Sequence, residues 1–268
     1  MDVRDLGALQ GKMVVYGGPY SNLQASLALL SFCADNRIPA SHRICTGDTV
    51  AYGGEPKATW SLMRTTGGTV VAGNCERNLA ENAEDCGCGF GADTTCDLLS
   101  RAWYAYARRE LPQDAKDWMA VLPDMVVFQH GTRRCAVIHG GLSDISRFLW
   151  PSSPEADFFE EIALIEAAVG AVDVVFAGHC GLAFQRQIGD VLWVNAGAIG
   201  LPPNDGRPET RFALLAGDKI TIERLDYNAR PAISAMTRAG LTQGYHDTLK
   251  TGLWPSEDVL PTELRRAG

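Results

Sequence analysis

The sequence predicts an α/β fold in which buried strands alternate with helices. Short runs of β-branched and apolar residues recur between Met13 and Asn195, and each run ends beside a glycine or a polar residue. Segments with apolar residues at helical spacing lie between these runs. This alternation is typical of layered α/β proteins, in which ligands bind beyond the carboxyl ends of the strands.

Six of the runs are predicted to be buried strands because they are short, apolar and rich in β-branched residues. They lie at residues 13–16, 43–45, 69–72, 135–138, 172–177 and 191–194. After Asn195 the pattern changes to two runs, at 212–215 and 219–225, joined through Gly217-Asp218. A polar turn between two apolar runs predicts an antiparallel pair.

Helices are predicted at residues 23–33, 57–64, 95–110, 157–169, 231–238 and 243–250. Ser21 or Asn22 is expected to cap the first helix, and Pro154 opens the fourth. The apolar stripe of the third helix is predicted from Leu98, Leu99, Ala102, Trp103 and Tyr106, which follow helical spacing.

No shift in composition marks a domain boundary. One domain is expected over residues 1–226, with a helical extension over 227–268 that packs on the same domain. The insert 83–95 is rich in glycine and cysteine and is predicted to be an irregular loop. The tail from Trp254 is predicted to be a surface strap.

Composition and charge exclude several classes of protein. The 268 residues are 46% hydrophobic and 21% charged, which is ordinary globular usage. A formal net charge of -8 argues against sequence-independent binding to nucleic acid. Residues 1–10 carry no apolar signal segment, and charges interrupt the most apolar stretch, 162–178, so no membrane span is expected. We expect a cytoplasmic protein whose eight cysteines are reduced.

Five polar residues stand at predicted strand ends, where the sheets of an α/β fold bind ligands. They are Asp48, Asn74, His139, His179 and Asn195, and the chain has only five histidines. A carboxylate, an amide oxygen and two imidazoles form a mixed oxygen and nitrogen set that suits a first-row divalent metal. The alternative is that these residues only cap helices and brace loops.

The same residues fall into an ordered series of motifs. The series comprises Gly47-Asp48, Gly73-Asn74-Cys75-Glu76, His139-Gly140, Gly178-His179-Cys180-Gly181 and Asn195-Ala196-Gly197-Ala198. From Met13 to about Asp226, the order and spacing resemble those of the calcineurin-like metallophosphoesterases. The resemblance implies a β-sandwich of two mixed sheets flanked by helices, and a two-metal site for phosphoester hydrolysis.

The chain departs from that family pattern at four positions. Gly18 and Tyr20 stand where the family's first motif has its Asp and His ligands, Gly181 replaces the second His of the fifth motif, and Cys75 replaces the His of the third motif. Of the ligands of one metal, only Asp48 is left. All the ligands of the other are present, and they are Asp48, Asn74, His139 and His179. The resemblance therefore implies one divalent transition metal: Mn, Fe, Ni or Zn.

The resemblance also implies roles for individual residues. Asp48 and His139 are expected to be catalytic, and Cys75 stands in the place of the family's general acid. Cys75 is expected to act as an acid or a ligand, or else to be a small buried apolar group. Tyr20 is expected either to bind a phosphate oxygen or to fill the space of the missing metal. The remaining substrate-binding candidates are Asn22, Asn195 and Gly197.

A second metal site is predicted at cysteines. Cys86, Cys88 and Cys96 lie in or beside the glycine-rich insert, and Cys75 would complete four thiolates for a structural zinc. The spacing is not the doubled C-x-x-C pattern, so free reduced thiols are the alternative.

Three functions follow from these observations. The first is a metal-dependent phosphoesterase acting on a phosphomonoester, a phosphodiester or a nucleotide with a single metal. The second is a pseudo-phosphoesterase that binds a metal and a phosphorylated ligand without turnover. The third is a scaffold without metal, which the four intact ligands argue against. The expected partner is a small phosphorylated molecule, and the sequence does not set the oligomeric state.

Overall fold

Two mixed β-sheets that pack face to face form the centre of the fold. The computed structural model describes residues 1–91 and 93–266. In these residues the larger sheet has six strands. In spatial order they are β1 (Val3–Ala8), β5 (Met125–His130), β6 (Arg133–Val137), β7 (Val174–Ala177), β9 (Val191–Ala196) and β8 (Ala183–Ile188).

The smaller sheet runs in the order β11 (Lys219–Leu225), β10 (Thr210–Ala216), β2 (Met13–Tyr16), β3 (Arg43–Cys45) and β4 (Thr69–Val70). Its β2, β3 and β4 are parallel, as are β6, β7 and β9 of the larger sheet. The predicted pair after Asn195 is confirmed as the antiparallel hairpin of β10 and β11.

The dry core between the sheets follows from the alternation of side chains along each strand. Met13 and Val15 of β2 face the larger sheet and join one buried cluster with Phe128 and Phe176. Their neighbours Val14 and Tyr16 point the other way and pack with residues of the outer helices.

Helices cover the outer faces of both sheets. They are α1 (Leu23–Asp35), α2 (Pro56–Thr66), α3 (Asn74–Ala80), α4 (Thr95–Glu110), α5 (Gln113–Ala120), α6 (Glu155–Val169), α7 (Arg230–Arg238) and α8 (Tyr245–Thr251). Asn22 caps α1 by accepting a hydrogen bond from the Ala25 backbone, which is one of the two predicted caps.

The predicted layout of alternating strands and helices is confirmed, with two mixed sheets flanked by helices. The buried face of α4 differs from the predicted stripe: Cys96, Ser100 and Tyr104 are buried beside Trp103, whereas Leu98 is 51% exposed. The helix is turned in this way because its Cys96 side contacts the tail near Ser256.

The C-terminal helices pack on the rest of the chain. Ala232 and Met236 of α7 and Leu249 of α8 share a buried cluster with Tyr20 and Trp60. The boundary between 226 and 227 stays a prediction. Ala92 of the predicted loop and residues 267–268 of the predicted extension lie outside the described residues. Within the described part, no helix combines the length and the apolar character needed to cross a membrane.

Candidate metal centre

The centre lies where the carboxyl ends of parallel strands from both sheets meet. Asp48 follows β3 and Asn74 opens α3 after β4, while His139 and His179 follow β6 and β7. Because parallel strands end at the same edge of a sheet, the four side chains converge in one crevice. All four are largely buried from solvent.

The ligand atoms are close enough to share one ion. Nε2 of His139 lies 3.0 Å from Oδ1 of Asn74, 3.0 Å from Nδ1 of His179 and 3.5 Å from Oδ2 of Asp48. The ligand atoms of Asp48, His139 and His179 all lie within 4.8 Å of one another. Donor atoms about 2.1 Å from one metal are spaced about 3.0 to 3.4 Å apart, so this spacing fits a single divalent ion.

Hydrogen bonds fix which atoms face the centre. Nδ1 of His139 lies 2.6 Å from the Thr46 carbonyl oxygen, which can only accept, so Nδ1 carries the proton. In the neutral ring Nε2 then presents a lone pair. The Asn74 amide donates to the Cys86 carbonyl at 2.9 Å, which turns its Oδ1 toward His139. The lone pairs of these atoms therefore point at one another. This arrangement is unfavourable by itself, and a cation between the atoms would stabilise it.

Burial keeps the second imidazole available as a ligand. Burial, and secondarily the neighbouring His139, lower the pKa of His179 well below its ordinary value. The ring is therefore neutral near pH 7 and has a lone pair to donate. Its other nitrogen, Nε2, is buried, and the ring lies beside the backbone of Ser146 and Cys88.

Two of the ligands have left-handed backbone conformations, with φ of 55° at Asp48 and 57° at His179. Residues other than glycine rarely adopt this region, and where they do they cluster at functional sites. Gly47 must be glycine, because a Cβ there would lie 2.6 Å from the Gly73 nitrogen and 2.8 Å from Nδ1 of His139. The tight turn after β3 aims Asp48 into the crevice.

Glu76 holds this turn against α3, and sequence reasoning assigned it no role. Its carboxylate accepts from the backbone nitrogens of Asp48 at 2.8 Å, Thr49 at 2.7 Å and Gly73 at 2.8 Å, and from the Thr49 hydroxyl at 2.6 Å. Burial, then the charge of Asp48, raise the pKa of Glu76. A glutamate in the first turn of a helix often bonds free backbone nitrogens. The position of Glu76 in the first turn of α3, after Gly73-Asn74, is therefore the sequence signal that could have indicated this role.

Tyr20 lies against the positions of the absent ligands. A Cβ on Gly18 would overlap the Tyr20 ring, and a Cβ on Gly181 would lie 3.9 Å from its hydroxyl. The ring is 6% exposed and borders the same cavity as Asp48. Three of the four departures from the family pattern, at Gly18, Tyr20 and Gly181, are therefore neighbours in space.

Asn22, Asn195 and Gly197 are braced by internal hydrogen bonds. Asn22 donates to the Gly200 carbonyl at 3.0 Å, besides capping α1. Asn195 donates to the Gly178 carbonyl at 2.6 Å and accepts from the Gly197 nitrogen at 2.9 Å. These bonds explain the positions of the three residues, and a role in substrate binding stays a prediction.

Cys75 is buried beside the centre. Its backbone nitrogen donates to Oδ1 of Asp48 at 3.3 Å, and its sulfur lies 3.6 Å from the Asn74 amide nitrogen. Burial, and secondarily the charge of Asp48, raise the pKa of Cys75 well above its ordinary value, so the thiol is protonated at neutral pH.

Two of the eight cysteines differ from the expectation of reduced thiols, and the other six are free. Cys86 and Cys88 form a disulfide, so their sulfurs are not thiolates in this structure. Cys96 lies in α4 near Ser256. In the described residues, Asp48 with His139 and His179 is the only group of three or more histidine, cysteine or acidic side chains that could hold a metal ion. A thiolate zinc site would require the disulfide to be reduced, and it stays a prediction.

A small cavity of about 40 Å³ opens beside the centre. That is room for about three water molecules at roughly 10 to 15 Å³ each. Asp48 and His179 line its floor, and Phe148, Trp150 and Trp254 lie around it. No lysine or arginine is among the described lining residues, so any positive charge must come from a bound ion.

The comparisons agree with this geometry. Residues 26–219 match the model of the calcineurin-like phosphoesterase superfamily domain. The chain belongs to this superfamily, and the resemblance drawn from its motifs is confirmed. Membership implies a divalent metal, and at a coarse level it supports metal-dependent phosphoesterase chemistry. The donor set around His139 fits such an ion.

Solved structures support the same fold. A metallophosphoesterase from Sphaerobacter thermophilus has a TM-score of 0.65 and 19% identity, over 91% of this chain and 100% of that one. A hypothetical protein from Pyrococcus horikoshii OT3 has a TM-score of 0.73 and 14% identity, over 92% and 99% of the two chains. A search of the curated proteins finds no match. At these identities the structural likeness supports the fold alone.

Proposed function

We propose that this protein hydrolyses phosphoesters with a single divalent transition metal, Mn, Fe, Ni or Zn, held by Asp48, Asn74, His139 and His179. The observation that carries the proposal is the spacing of 3.0 Å from Nε2 of His139 to both Asn74 and His179. Tyr20 supports the count of one, because its ring lies beside the positions of the absent ligands.

Charge supports a phosphate ligand at this centre. A divalent ion would leave one net positive charge after the Asp48 carboxylate, since His179 is neutral. When bound, such an ion polarises a phosphoryl oxygen and lowers the pKa of a bound water. The aromatic walls of the cavity keep bulk water from the phosphoryl group.

We expect Tyr20 to orient the substrate. Burial, and secondarily Asp48, raise the pKa of its phenol well above the ordinary value, so it is a hydrogen-bond donor at neutral pH. Cys75 is buried away from solvent, and its smaller thiol stands in the place of the family's imidazole acid. Loss of a general acid typically lowers rates by about 10²- to 10⁴-fold. We therefore expect esters with good leaving groups to be the better substrates.

Metal content tests the first part of the proposal. Protein purified without added metal and loaded with Mn²⁺ is analysed by mass spectrometry for metal per chain. We expect a ratio near one. A ratio near two contradicts the single-ion centre, and a ratio near zero supports the metal-free scaffold.

Turnover tests the second part. Hydrolysis of p-nitrophenyl phosphate and bis(p-nitrophenyl) phosphate is followed with Mn²⁺, Ni²⁺, Zn²⁺ or Fe²⁺ present. We expect activity that His139→Ala and His179→Ala both abolish. His42→Ala is the matched control, because His42 bonds the Gln10 carbonyl outside the centre. Activity that survives both substitutions would rule out this assignment.

The alternative is a pseudo-phosphoesterase that holds the ion and a phosphorylated ligand without turnover. The small cavity and the absent general acid favour it. A loaded protein that binds inorganic phosphate but hydrolyses none of the esters would support this alternative. In either case we propose a small phosphorylated partner, in keeping with the net charge of -8. A cytoplasmic location is part of the proposal, and cell fractionation tests it.

A further inference from the structure

We propose that Cys86 and Cys88 form a redox modification site that controls metal affinity through Asn74. The inference rests on the metal centre of the proposed function but adds a chemistry that this centre does not require. The reacting groups are the two sulfurs of the disulfide, and the reaction partner is a dithiol.

Asn74 connects the disulfide to the centre. Its amide nitrogen donates to the Cys86 carbonyl at 2.9 Å and lies 3.5 Å from the Cys88 sulfur. Its oxygen lies 3.0 Å from Nε2 of His139. One end of a planar amide is therefore held by the cysteine loop, and the opposite end is presented to the ion.

The disulfide state selects this orientation. Disulfide sulfurs and carbonyl oxygens only accept hydrogen bonds, so both neighbours favour the nitrogen of Asn74 on their side. A thiol at Cys88 can donate as well as accept, so it would bond either end of the amide and would no longer select the present orientation. In the rotated amide the nitrogen, which has no lone pair for a metal, replaces the ligand oxygen.

The loop has few other restraints in this region. Gly87 and Gly89 flank Cys88, and glycines give a free loop a large conformational entropy. The Ser146 hydroxyl contacts the Gly87 carbonyl, and Asp85 accepts from the Gly87 nitrogen at 2.8 Å. The Asn78 amide also donates to the Asp85 carbonyl at 3.0 Å. None of these bonds involves the Cys86 carbonyl itself, so its position beside Asn74 depends in part on the disulfide.

The chemistry balances as ordinary thiol–disulfide exchange. A thiolate of the dithiol attacks one sulfur, the bond between Cys86 and Cys88 breaks, and a mixed disulfide forms. The second thiol of the reductant displaces it, so two electrons and two protons pass to the cysteines. The reductant leaves as its own disulfide.

The expected effect is about a tenfold loss of metal affinity on reduction, because partners that orient a metal ligand typically matter by 10- to 100-fold. Linkage makes the effect reciprocal: Mn²⁺ should make the disulfide about tenfold harder to reduce. For a two-electron couple this corresponds to about 30 mV.

The test compares Mn²⁺ affinity in the two states. One sample is oxidised with glutathione disulfide. The other is reduced with a phosphine, which takes up an oxygen atom from water, and is then desalted without air. Free Mn²⁺ is measured by electron paramagnetic resonance, and alkylation with mass analysis counts the thiols. We expect the reduced protein to bind about tenfold more weakly.

Two variants separate this pair from the other thiols. The double variant Cys86→Ser/Cys88→Ser should bind Mn²⁺ weakly in both samples. Cys135→Ser removes a buried thiol of β6 and should keep the full redox response.

Equal affinities in the two states, tighter binding on reduction, a redox response that persists in the double variant, or no disulfide after oxidation would each overturn the proposal. Absence of Mn²⁺ binding in every sample would instead contradict the proposed metal centre. Failure of the redox proposal and failure of the proposed function are therefore distinguishable.

Discussion

Substitution of Glu76 by glutamine tests whether the turn that carries Asp48 is held by a buried carboxylate. Each carboxylate oxygen accepts two hydrogen bonds: one from the backbone nitrogens of Asp48 and Gly73, the other from the nitrogen and hydroxyl of Thr49. A glutamine has only one such oxygen. Whichever oxygen the amide nitrogen replaces, the two protein donors that bonded that oxygen then face an N–H donor instead of an acceptor.

The least costly arrangement turns the new amide nitrogen toward Thr49. The Thr49 hydroxyl can rotate and accept, so one backbone N–H is left without a partner. A buried unsatisfied donor costs about 1–3 kcal/mol, and the other bonds weaken because the acceptor loses its charge. Removing a buried charge offsets part of this loss. We expect Glu76→Gln to lower the free energy of unfolding by about 2 kcal/mol.

The assay is urea denaturation of the metal-free protein, followed by Mn²⁺ titration of the folded variant. Glu81→Gln is the matched control, because Glu81 is an exposed glutamate just after the same helix. We also expect about a tenfold weaker Mn²⁺ affinity, since the turn that aims Asp48 is loosened. A change in unfolding free energy below about 0.5 kcal/mol would refute the reasoning.

Three further predictions follow from the same centre. Tyr20→Phe keeps the ring but removes the phenol, so it should leave one Mn²⁺ per chain and lower kcat; a second bound ion would contradict the steric role given to the ring. The stability of the metal-free protein should fall as pH drops below about 6.5, because the unfolded His179 binds a proton there that the folded ring, with its lowered pKa, does not. His179→Gln should flatten this slope in urea titrations between about pH 5 and 7, and an unchanged slope would assign the effect elsewhere. Removal of the ion with a chelator should lower the Tm, because a ligand whose free concentration is 100 times its Kd stabilises the folded state by about 2.7 kcal/mol. Identical melting curves with and without chelator would show that no ion was bound.

Residues at strand ends were the most predictable part of this chain. Asp48, His139 and His179 each follow a short buried strand, and parallel strands bring their ends together without any further information. The strands that carry them were therefore enough to predict the centre. Their side chains are polar in otherwise apolar surroundings, which is the strongest contrast that a sequence offers.

Elements away from these strand ends were harder to predict. Strand β1 is largely exposed at the edge of its sheet, so it lacks an apolar run. Helix α3 buries Asn74, Cys75 and Glu76, and a buried polar face gives no amphipathic signal. The disulfide was also beyond prediction, because the spacing of Cys86 and Cys88 is compatible with thiols, a metal site or a bond.

One of the departures from the family pattern has a steric explanation in this structure. Gly18 and Gly181 are both close to the Tyr20 ring, so a longer side chain at Gly18 would overlap it. A Cβ at Gly181 would lie at ordinary van der Waals distance from Trp254, at 3.7 Å, and from the Tyr20 hydroxyl, at 3.9 Å. The departures at Gly18 and Tyr20 thus depend on each other, because a side chain at Gly18 requires the Tyr20 ring to move. Cys75 donates to Asp48 through its backbone nitrogen, and its side chain lies in the same buried cluster as Tyr20. The candidate ligands Asp48, His139 and His179 still converge on one centre, so metal binding there does not require that the catalytic chemistry is kept.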